Sequence, residues 1–535
     1  MSNDFDLLIE PWIPVVDLSG RESEVSLITA LERAHELREV ADESPLVTFA
    51  IYRFLAAVLQ VCMPVRDIDQ WADQWAAQRI PASVIALVQS ICAGRLNLFD
   101  RSLPFLQSAD LPPIGLAKSE LKTVGSLFHE ESTGTNVTLF SHRGDRDHAY
   151  CPVCCVKGLL VQPPFATSGG AGIRPSINGV PPLYVMPGLD TLFGTLLINH
   201  LSSDFHPRTA NKARAPSLWS PDGIVPAKCQ VTDVSFVESL VWAPRRMRLF
   251  PSDGGRCSRC GRLASPLVRS MVYTQGKYRP EGLPPWDDPW VAYREEMDAD
   301  GKSIVKPVRP VEERATWRDV PTLFLRPPQS RTTRWRQPKV LGQLALLQHE
   351  EILPAKSLPV RCDVFGIRTD MKAKVYEWRH DHFIFPLRLL DDDRAARTVE
   401  SALGMAEEAA STLAMALKML HPATHRRNAD PKARAAAMQA LRLQTARLFW
   451  QNMAAPFRDL LADRRVTLDV EERRSLLYEW WKKTREEAKR ALEEMIENFD
   501  SDAEELCCQV RARHVFYGRL AKYQQKLFDK EGLDA

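Results

Sequence analysis

The chain has 535 residues, of which 45% are hydrophobic and 26% are charged, and its formal net charge is +2. At about 150 residues per domain, this length allows about two to four domains, each with a core of its own. The near balance of 70 Lys and Arg against 68 Asp and Glu excludes a chain that is basic overall. Any nucleic-acid surface must therefore be local.

The N-terminal residues predict a cytoplasmic protein. Asp4, Asp6 and Glu10 lie where a secretory signal would carry basic residues. The longest strongly apolar run, between Arg53 and Arg66, is shorter than the ~20 residues of a membrane helix. It is typical of a buried core helix, so no membrane is expected.

Residues 1–390 predict an irregular α+β domain with long functional loops. Prolines are frequent here, and short apolar runs alternate with turn-rich stretches. The pairs Pro181-Pro182, Pro284-Pro285 and Pro327-Pro328 exclude long helices locally.

Two CxxC pairs in this region predict a structural zinc site with the ligands Cys151, Cys154, Cys257 and Cys260. Each pair places two thiolates on one tight turn, and two such turns complete a tetrahedral site. Because four cysteines leave no open position for water, the zinc would not be catalytic. The pairs lie about 100 residues apart, so chance pairs of reduced cysteines are the alternative. The neighbouring Cys155 leaves the choice of ligands open.

A run of small residues follows the first pair and precedes Arg174. It consists of Ser168, Gly169, Gly170, Ala171 and Gly172. Small residues let the backbone approach another surface closely and expose its N–H groups, which suits a narrow minor groove or a phosphate. The run is neither a P-loop nor a dinucleotide fingerprint. A flexible surface turn is the alternative.

Basic residues cluster in two places. Arg245-Arg246-Met247-Arg248 follows an apolar run, and the segment 326–339 contains several arginines and Trp335 but no acid. Arginine interleaved with tryptophan suits phosphate contact and base stacking. A solvated face explains both stretches equally well.

Candidate catalytic groups are sparse. One polar loop contains His142, Asp145, Asp147 and His148, and His380-Asp381 forms a separate pair. Clustered histidines and carboxylates can hold the divalent ions of a nuclease. No second element at a recognisable spacing supports either group, and solvated loop residues are the simpler interpretation.

Residues 391–535 predict an all-α four-helix bundle. The first helix is expected from about Asp393 to Leu420, and Asp430-Pro431 predicts the start of the second. Asp469 with Glu472 and Ser501 with Glu504 have the spacing of helix N-terminal caps. Short connections between long amphipathic helices predict antiparallel neighbours, and Trp480-Trp481 is expected in the core.

Taken in order, these motifs resemble the large subunit of the type I-E CRISPR surveillance complex (Cascade). The resemblance rests on residues 5–15 (FDLLIEPWIPV), 103–107 (LPFLQ), 134–136 (GTN) and 377–381 (EWRHD) together with the cysteine pairs, the small-residue run and the closing helices. It covers nearly the whole chain, and the ordered set is more specific than any single motif.

The resemblance implies a non-catalytic protein that reads the protospacer-adjacent motif in double-stranded DNA. The small-residue run, Ser168 to Gly172, would lie on the minor groove of that motif. Relatives also insert a lysine there from a hairpin after the second CxxC. Ungapped matching places Gln275 at that position, and Lys277 is favoured because it would point to the same strand face.

The resemblance also implies a hairpin that wedges the duplex open. Its match comprises Thr369, Asp370, Met371, Lys372, Ala373 and Lys374, without the glutamine of the best-known relatives. The loop from Asn136 to Tyr150, with Phe140, would dock beside the 5′ handle of the guide RNA. The backbone and small subunits of the complex and a helicase-nuclease are the implied protein partners. A metal-dependent nuclease and a protein-binding helical scaffold remain the alternatives.

Overall fold

The computed structural model describes residues 4–111, 121–131, 148–168, 172–212, 218, 222–297, 303–312, 314–325, 333–353, 359–369, 375–420, 430–467, 469–497 and 503–531. The strands in these ranges are β1 (Ile13–Asp17), β2 (Glu22–Val25), β3 (Leu37–Val40), β4 (Leu121–Thr123), β5 (Tyr184–Gly188), β6 (Cys229–Gln230), β7 (Arg245–Ser252), β8 (Gly255–Arg256), β9 (Leu263–Ala264), β10 (Leu267–Gln275), β11 (Lys277–Tyr278), β12 (Tyr293–Met297), β13 (Ser303–Pro307), β14 (Thr333–Arg336), β15 (Pro359–Thr369) and β16 (Val375–Pro386).

The helices of the same ranges are α1 (Leu27–Glu32), α2 (Pro45–Cys62), α3 (Ile68–Ala76), α4 (Ala82–Cys92), α5 (Pro152–Phe165), α6 (Leu192–Ile198), α7 (Phe236–Leu240), α8 (Val320–Phe324), α9 (Lys339–His349), α10 (Asp393–Leu420), α11 (Pro431–Thr445), α12 (Gln451–Ala462), α13 (Val470–Glu497) and α14 (Ala503–Glu531). A π-helical turn at Ala446–Trp450 joins α11 to α12. This mixture of helix and strand is the predicted α+β content.

Packing divides the chain into two units. The first contains residues 1–310, 332–352 and 361–382, and the second contains 311–331, 353–360 and 383–535. Three parts of the second unit, residues 311–331, 353–360 and 383–390, therefore come from the range 1–390 that the sequence assigned to the N-terminal domain.

The first unit is built from several small sheets rather than one large one. The three-stranded sheets have the orders β2-β1-β3, β4-β10-β7, β13-β12-β14 and β16-β15-β5. In the second of these, β7 and β10 run antiparallel with Arg245 opposite Gln275 and Ser252 opposite Leu267. Along β7 the residues Arg245, Met247 and Leu249 are buried and alternate with half-buried ones, as the period of a strand requires.

Helix α2 is the central core helix of this unit. By length and composition it could cross a membrane, but 89% of it is buried inside the structure. Arg53 near its middle is 2% exposed and forms an ion pair with Asp288 at 2.8 Å. The predicted core helix is confirmed, although it begins at Pro45 and includes Arg53 rather than following it.

Two helices of the second unit, α11 and α13, begin where the capping signals predict. The carboxylate of Asp469 accepts the N–H groups of Glu471 and Glu472 before α13, and that of Asp430 accepts the N–H of Lys432 before α11. The predicted cap residue Ser501 lies outside the described residues. Helix α10 packs against α11, α13 and α14, and α12 packs against α13.

The tryptophan pair of α13 lies in the core of this helical unit, as predicted. Trp480 and Trp481 are 2% and 1% exposed. The indole N–H of Trp480 donates to the carbonyl of Ala402 at 2.7 Å, which ties α13 to α10. Because the ring of Trp480 is buried while its N–H keeps a hydrogen-bond acceptor, it stabilises the contact between α10 and α13.

Candidate functional site

The two cysteine pairs come together in the structure. Cys151 directly precedes α5, with Cys154 in its first turn, and Cys257 and Cys260 lie in the turn between β8 and β9. The four Sγ atoms lie within 4.8 Å of one another, with 3.7 Å from Cys151 to Cys260 and 3.8 Å from Cys257 to Cys154. A tetrahedral site with Zn–S bonds of about 2.3 Å needs sulfur atoms about 3.8 Å apart. The cluster therefore fits zinc.

The four thiols of the cluster have pKa shifts of opposite sign: the pKa values of Cys151 and Cys154 are raised, and those of Cys257 and Cys260 are lowered towards the thiolate, the form that binds metal. A hydrogen bond with the thiol of Cys151 lowers the pKa of Cys257 far below its ordinary value. A hydrogen bond with Cys154 lowers the pKa of Cys260 to about 6.

The ambiguity over Cys155 is resolved by geometry. Its thiol points to the carbonyl of Tyr150 at 3.9 Å and is not a member of the four-cysteine group. Burial raises the pKa of the Cys155 thiol well above its ordinary value. Cys155 is therefore an inert core residue.

Ion pairs connect the β8–β9 turn, which contains the second cysteine pair, to neighbouring segments. Arg259 reaches Glu130 at 2.7 Å and Glu131 at 3.3 Å, and its guanidinium lies 3.6 Å from the centre of the Phe128 ring. Arg262 pairs with Glu24. The turn is thus attached to the segment 121–131 and to β2, as well as to α5 through the cysteines.

The small-residue run begins just after α5 ends. Ser168 and Gly172 are described, whereas Gly169, Gly170 and Ala171 lie outside the described residues. Gly172 has a φ of +78°, a conformation that other L-residues adopt only with strain. The four-cysteine cluster and Ser168, where the run begins, thus lie near opposite ends of one helix.

Lys277 is engaged within the protein. Its ammonium group forms an ion pair with Glu238 at 2.9 Å, and its side chain is 16% exposed. To enter a DNA groove, Lys277 would have to leave Glu238, so its proposed role stays a prediction. Gln275 is only 4% exposed, and its side-chain oxygen accepts the N–H of Arg174 at 2.5 Å.

The proposed wedge connects two neighbouring strands of one sheet. Thr369 is the last residue of β15 and Val375 the first of β16, while Asp370, Met371, Lys372, Ala373 and Lys374 lie outside the described residues. At its base, the guanidinium of Arg368 lies 4.7 Å from the centre of the Tyr376 ring and pairs with Glu377.

Of the candidate nuclease loop, only His148 is described. Asn136, Phe140, His142, Asp145 and Asp147 all lie outside the described residues. His148 is 6% exposed, packs edge-on against Tyr150 and lies close to Gly125. His380 stacks on Phe365 at 4.7 Å and contacts Asp363 at 3.4 Å. Both histidines are packed against neighbouring side chains.

The basic stretches are mostly paired where they are described. Arg246 pairs with Asp110, and Arg336 reaches Glu295 at 2.9 Å. Arg245 is buried and bonds to both ends of the small-residue run, a role that sequence reasoning missed. The available signal was the alternation along β7, which places Arg245 on the same face as Met247 and Leu249.

Comparison with known proteins gives a consistent result. The family model for the CRISPR-associated protein Cse1 matches residues 6–491. The CasA/Cse1 protein of Thermus thermophilus is 29% identical over 510 residues, which cover 90% of this chain and 92% of that protein.

Solved structures agree at the level of the fold. The crystal structure of Thermobifida fusca Cse1 has a TM-score of 0.75 at 21% identity and covers 97% of this chain and 98% of its own. A chain of a CRISPR RNA-guided surveillance complex has a TM-score of 0.70 at 18% identity, with coverages of 96% and 99%.

Proposed function

The chain belongs to the CRISPR-associated Cse1 family, the large subunit of a CRISPR surveillance complex, and from this premise we propose that it recognises the protospacer-adjacent motif in double-stranded DNA. It acts without catalysing a chemical step. It helps to open the duplex for guide RNA pairing and recruits a helicase-nuclease. Its place of action is the cytoplasm.

The observation that supports this proposal best is that two candidate DNA-contacting segments start from one region of the first unit. Phe365 of β15 lies opposite Tyr184 of β5. The hydroxyl of Tyr184 donates to the carbonyl of Pro164 at the end of α5, at 2.9 Å. Ser168 lies four residues after Pro164, and Thr369 lies four residues after Phe365. Both segments therefore begin within four residues of one packed contact, which supports the proposal that a single duplex meets both.

The proposed mechanism is physical. The backbone of the small-residue run, Ser168 to Gly172, approaches the minor groove of the motif, and Met371 enters between base steps. Unstacking costs a few kcal/mol per step, which Lys372 and Lys374 offset in part by holding phosphates. Guide RNA pairing then reads the remaining target, a division of labour known from another RNA-guided system.

Zinc at the four-cysteine cluster has a structural role in this proposal. With all four positions taken by sulfur, the ion would hold α5 against the β8–β9 turn and supply no reactive water. The loop with Asn136 and Phe140 docks beside the guide RNA handle, and the helical unit contacts other subunits of the complex.

The proposal is tested by assembling the surveillance complex with and without this chain. We expect only the complete complex to prefer motif-bearing duplex over the same duplex with a scrambled motif, because the chain reads the motif. Equal preference in both assemblies would contradict the proposal. Cleavage of DNA by the purified chain with Mg²⁺ or Mn²⁺ would favour the nuclease alternative, and absence of DNA binding in every assembly would favour the scaffold.

The wedge makes a separate prediction. Changing Met371, Lys372 and Lys374 together to alanine should weaken opening of linear duplex by about tenfold or more, since each disrupted base step costs a few kcal/mol. A target with a pre-melted bubble beside the motif should be bound almost normally, because its unstacking is already done. Fluorescence of a base analogue placed beside the motif measures the opening.

The control for the wedge is a similar change in another hairpin, which removes one positive charge where the wedge variant removes two. Ile304 and Lys306 of β13 are 37% exposed and half-exposed, respectively, and their replacement by alanine also removes an apolar side chain and a positive charge. This variant should open linear duplex normally. Equal losses on linear and bubbled targets in the wedge variant would mean that its residues only contribute charge.

A further inference from the structure

Arg245 is a buried cation that joins both ends of the small-residue run. It is 1% exposed at the start of β7. Its guanidinium donates to the carbonyl of Thr167, before the run, and to the carbonyl of Arg174, after it, the latter at 2.6 Å. The planar guanidinium has donors in a fixed fork and can bridge two acceptors in this way. One side chain thereby sets the distance between the two ends.

Gln275 adds a second attachment at the same place. It lies opposite Arg245 in the antiparallel pair of β7 and β10. Its side-chain oxygen accepts the N–H of Arg174, and its side-chain nitrogen donates to the carbonyl of Pro244 at 3.1 Å. Both the N–H and the carbonyl of Arg174 are therefore bonded to this strand pair.

The two residues are anchored in the core. The Nε of Arg245 donates to the hydroxyl of Tyr273 at 3.0 Å, and that hydroxyl donates to Gln162 of α5, also at 3.0 Å. Gln162 is fully buried and donates onward to the carbonyl of Leu127 at 2.8 Å. The attachment of the run is thus continuous with the helix that precedes it.

The hydrogen-bond acceptors of Arg245 differ from those of Arg53, a second buried arginine of the same unit. Arg53 forms an ion pair with the carboxylate of Asp288 and donates to the carbonyl of Ser239, and both acceptors are far from the run in sequence. The acceptors of Arg245 named above are neutral oxygens, two of them on the backbone that flanks the run. Such an arrangement fixes the backbone at Thr167 and Arg174, the residues that flank the run.

We propose that Arg245 and Gln275 form a clamp that positions the small-residue run for DNA. The part of this inference that concerns DNA rests on the proposed function. The restraint of the backbone is a property of the free chain and does not depend on that function. Both are positioning residues, since they act through the backbone from Thr167 to Arg174. Restraint before binding lowers the entropy cost of docking the backbone against the groove.

The first test measures restraint in the free full-length chain. Arg245→Met should increase amide hydrogen exchange in peptides covering residues 166–175 by at least about tenfold, because bonds to a charged donor are lost there. These peptides end before Asn178, which donates to Asp288, the partner of Arg53. Arg53→Met is the matched control, since it removes an equally buried guanidinium elsewhere in the same unit. Gln275→Met frees the N–H of Arg174 with a smaller perturbation and serves if Arg245→Met does not fold.

The second test measures motif preference in the assembled complex. Affinity for motif-bearing duplex should fall about tenfold in the Arg245 or Gln275 variant, while affinity for a scrambled motif and for guide RNA stays unchanged. Unchanged hydrogen exchange would overturn the clamp. Increased exchange with unchanged motif preference would overturn its positioning role, provided that bulky changes in the run abolish the preference. If the run itself proves irrelevant to the motif, the proposed function fails, and the exchange result alone decides whether the restraint exists.

Discussion

The purified chain is expected to contain about one zinc ion, and loss of that ion should lower the free energy of unfolding of the chain. Cys257→Ser should lower the free energy of unfolding by several kcal/mol, on the order of 4 or more. The thiol of Cys257 is 1% exposed and lies 3.8 Å from that of Cys154, so its removal breaks the connection between α5 and the β8–β9 turn. Elemental analysis and thermal unfolding of the full chain measure both effects.

The neighbouring Cys155 provides the control. It is fully buried beside the cluster but bonds to a backbone carbonyl instead. Cys155→Ala should retain one zinc per chain and cost only about 1 kcal/mol through lost packing. A chelator should reproduce the effect of Cys257→Ser in the original chain. A metal-free protein with unchanged melting temperature would show that the four cysteines do not form a zinc site.

Gly170→Trp is expected to abolish preference for the motif in the assembled complex while guide RNA stays bound. A bulky side chain in the small-residue run would push the backbone away from the groove. Each base pair that is no longer read costs about 1–3 kcal/mol, which corresponds to roughly tenfold or more in affinity. Residual binding should resemble that of a scrambled motif and fall steeply with salt, as phosphate contacts do. Titration of both duplexes at two salt concentrations measures this.

Gly404→Trp is the matched control. Gly404 lies on an exposed part of α10, and a Cβ added there meets no atom within 4 Å. The same substitution should therefore leave motif preference unchanged. If Gly170→Trp retains the original affinity for the motif, the run is only a surface turn, and DNA recognition must be sought in other residues.

Local signals were sufficient for much of the architecture. The caps at Asp430 and Asp469 and the helical spacing of apolar residues predicted α10, α11, α13 and α14, because both signals depend on residues within one or two turns. The burial of Trp480 and Trp481 followed from the same periodicity. The order of the motifs along the chain indicated the family, which the family model then matched.

Contacts between distant segments required the tertiary structure. The sequence left the ligand choice open at Cys155, and only the fold excludes this thiol, because residues about 100 positions apart determine the cluster. Only the fold shows that Lys277 pairs with Glu238, which is remote in sequence. Only the fold likewise assigns the segments 311–331 and 353–360 to the second unit. Arg245 is the clearest example of a residue whose role the sequence alone did not predict. Its sequence neighbours suggested a basic surface, whereas strand pairing buries it and directs its guanidinium to the two ends of the small-residue run. The composition of a segment sets which groups are available for bonding, and long-range packing decides which groups they meet.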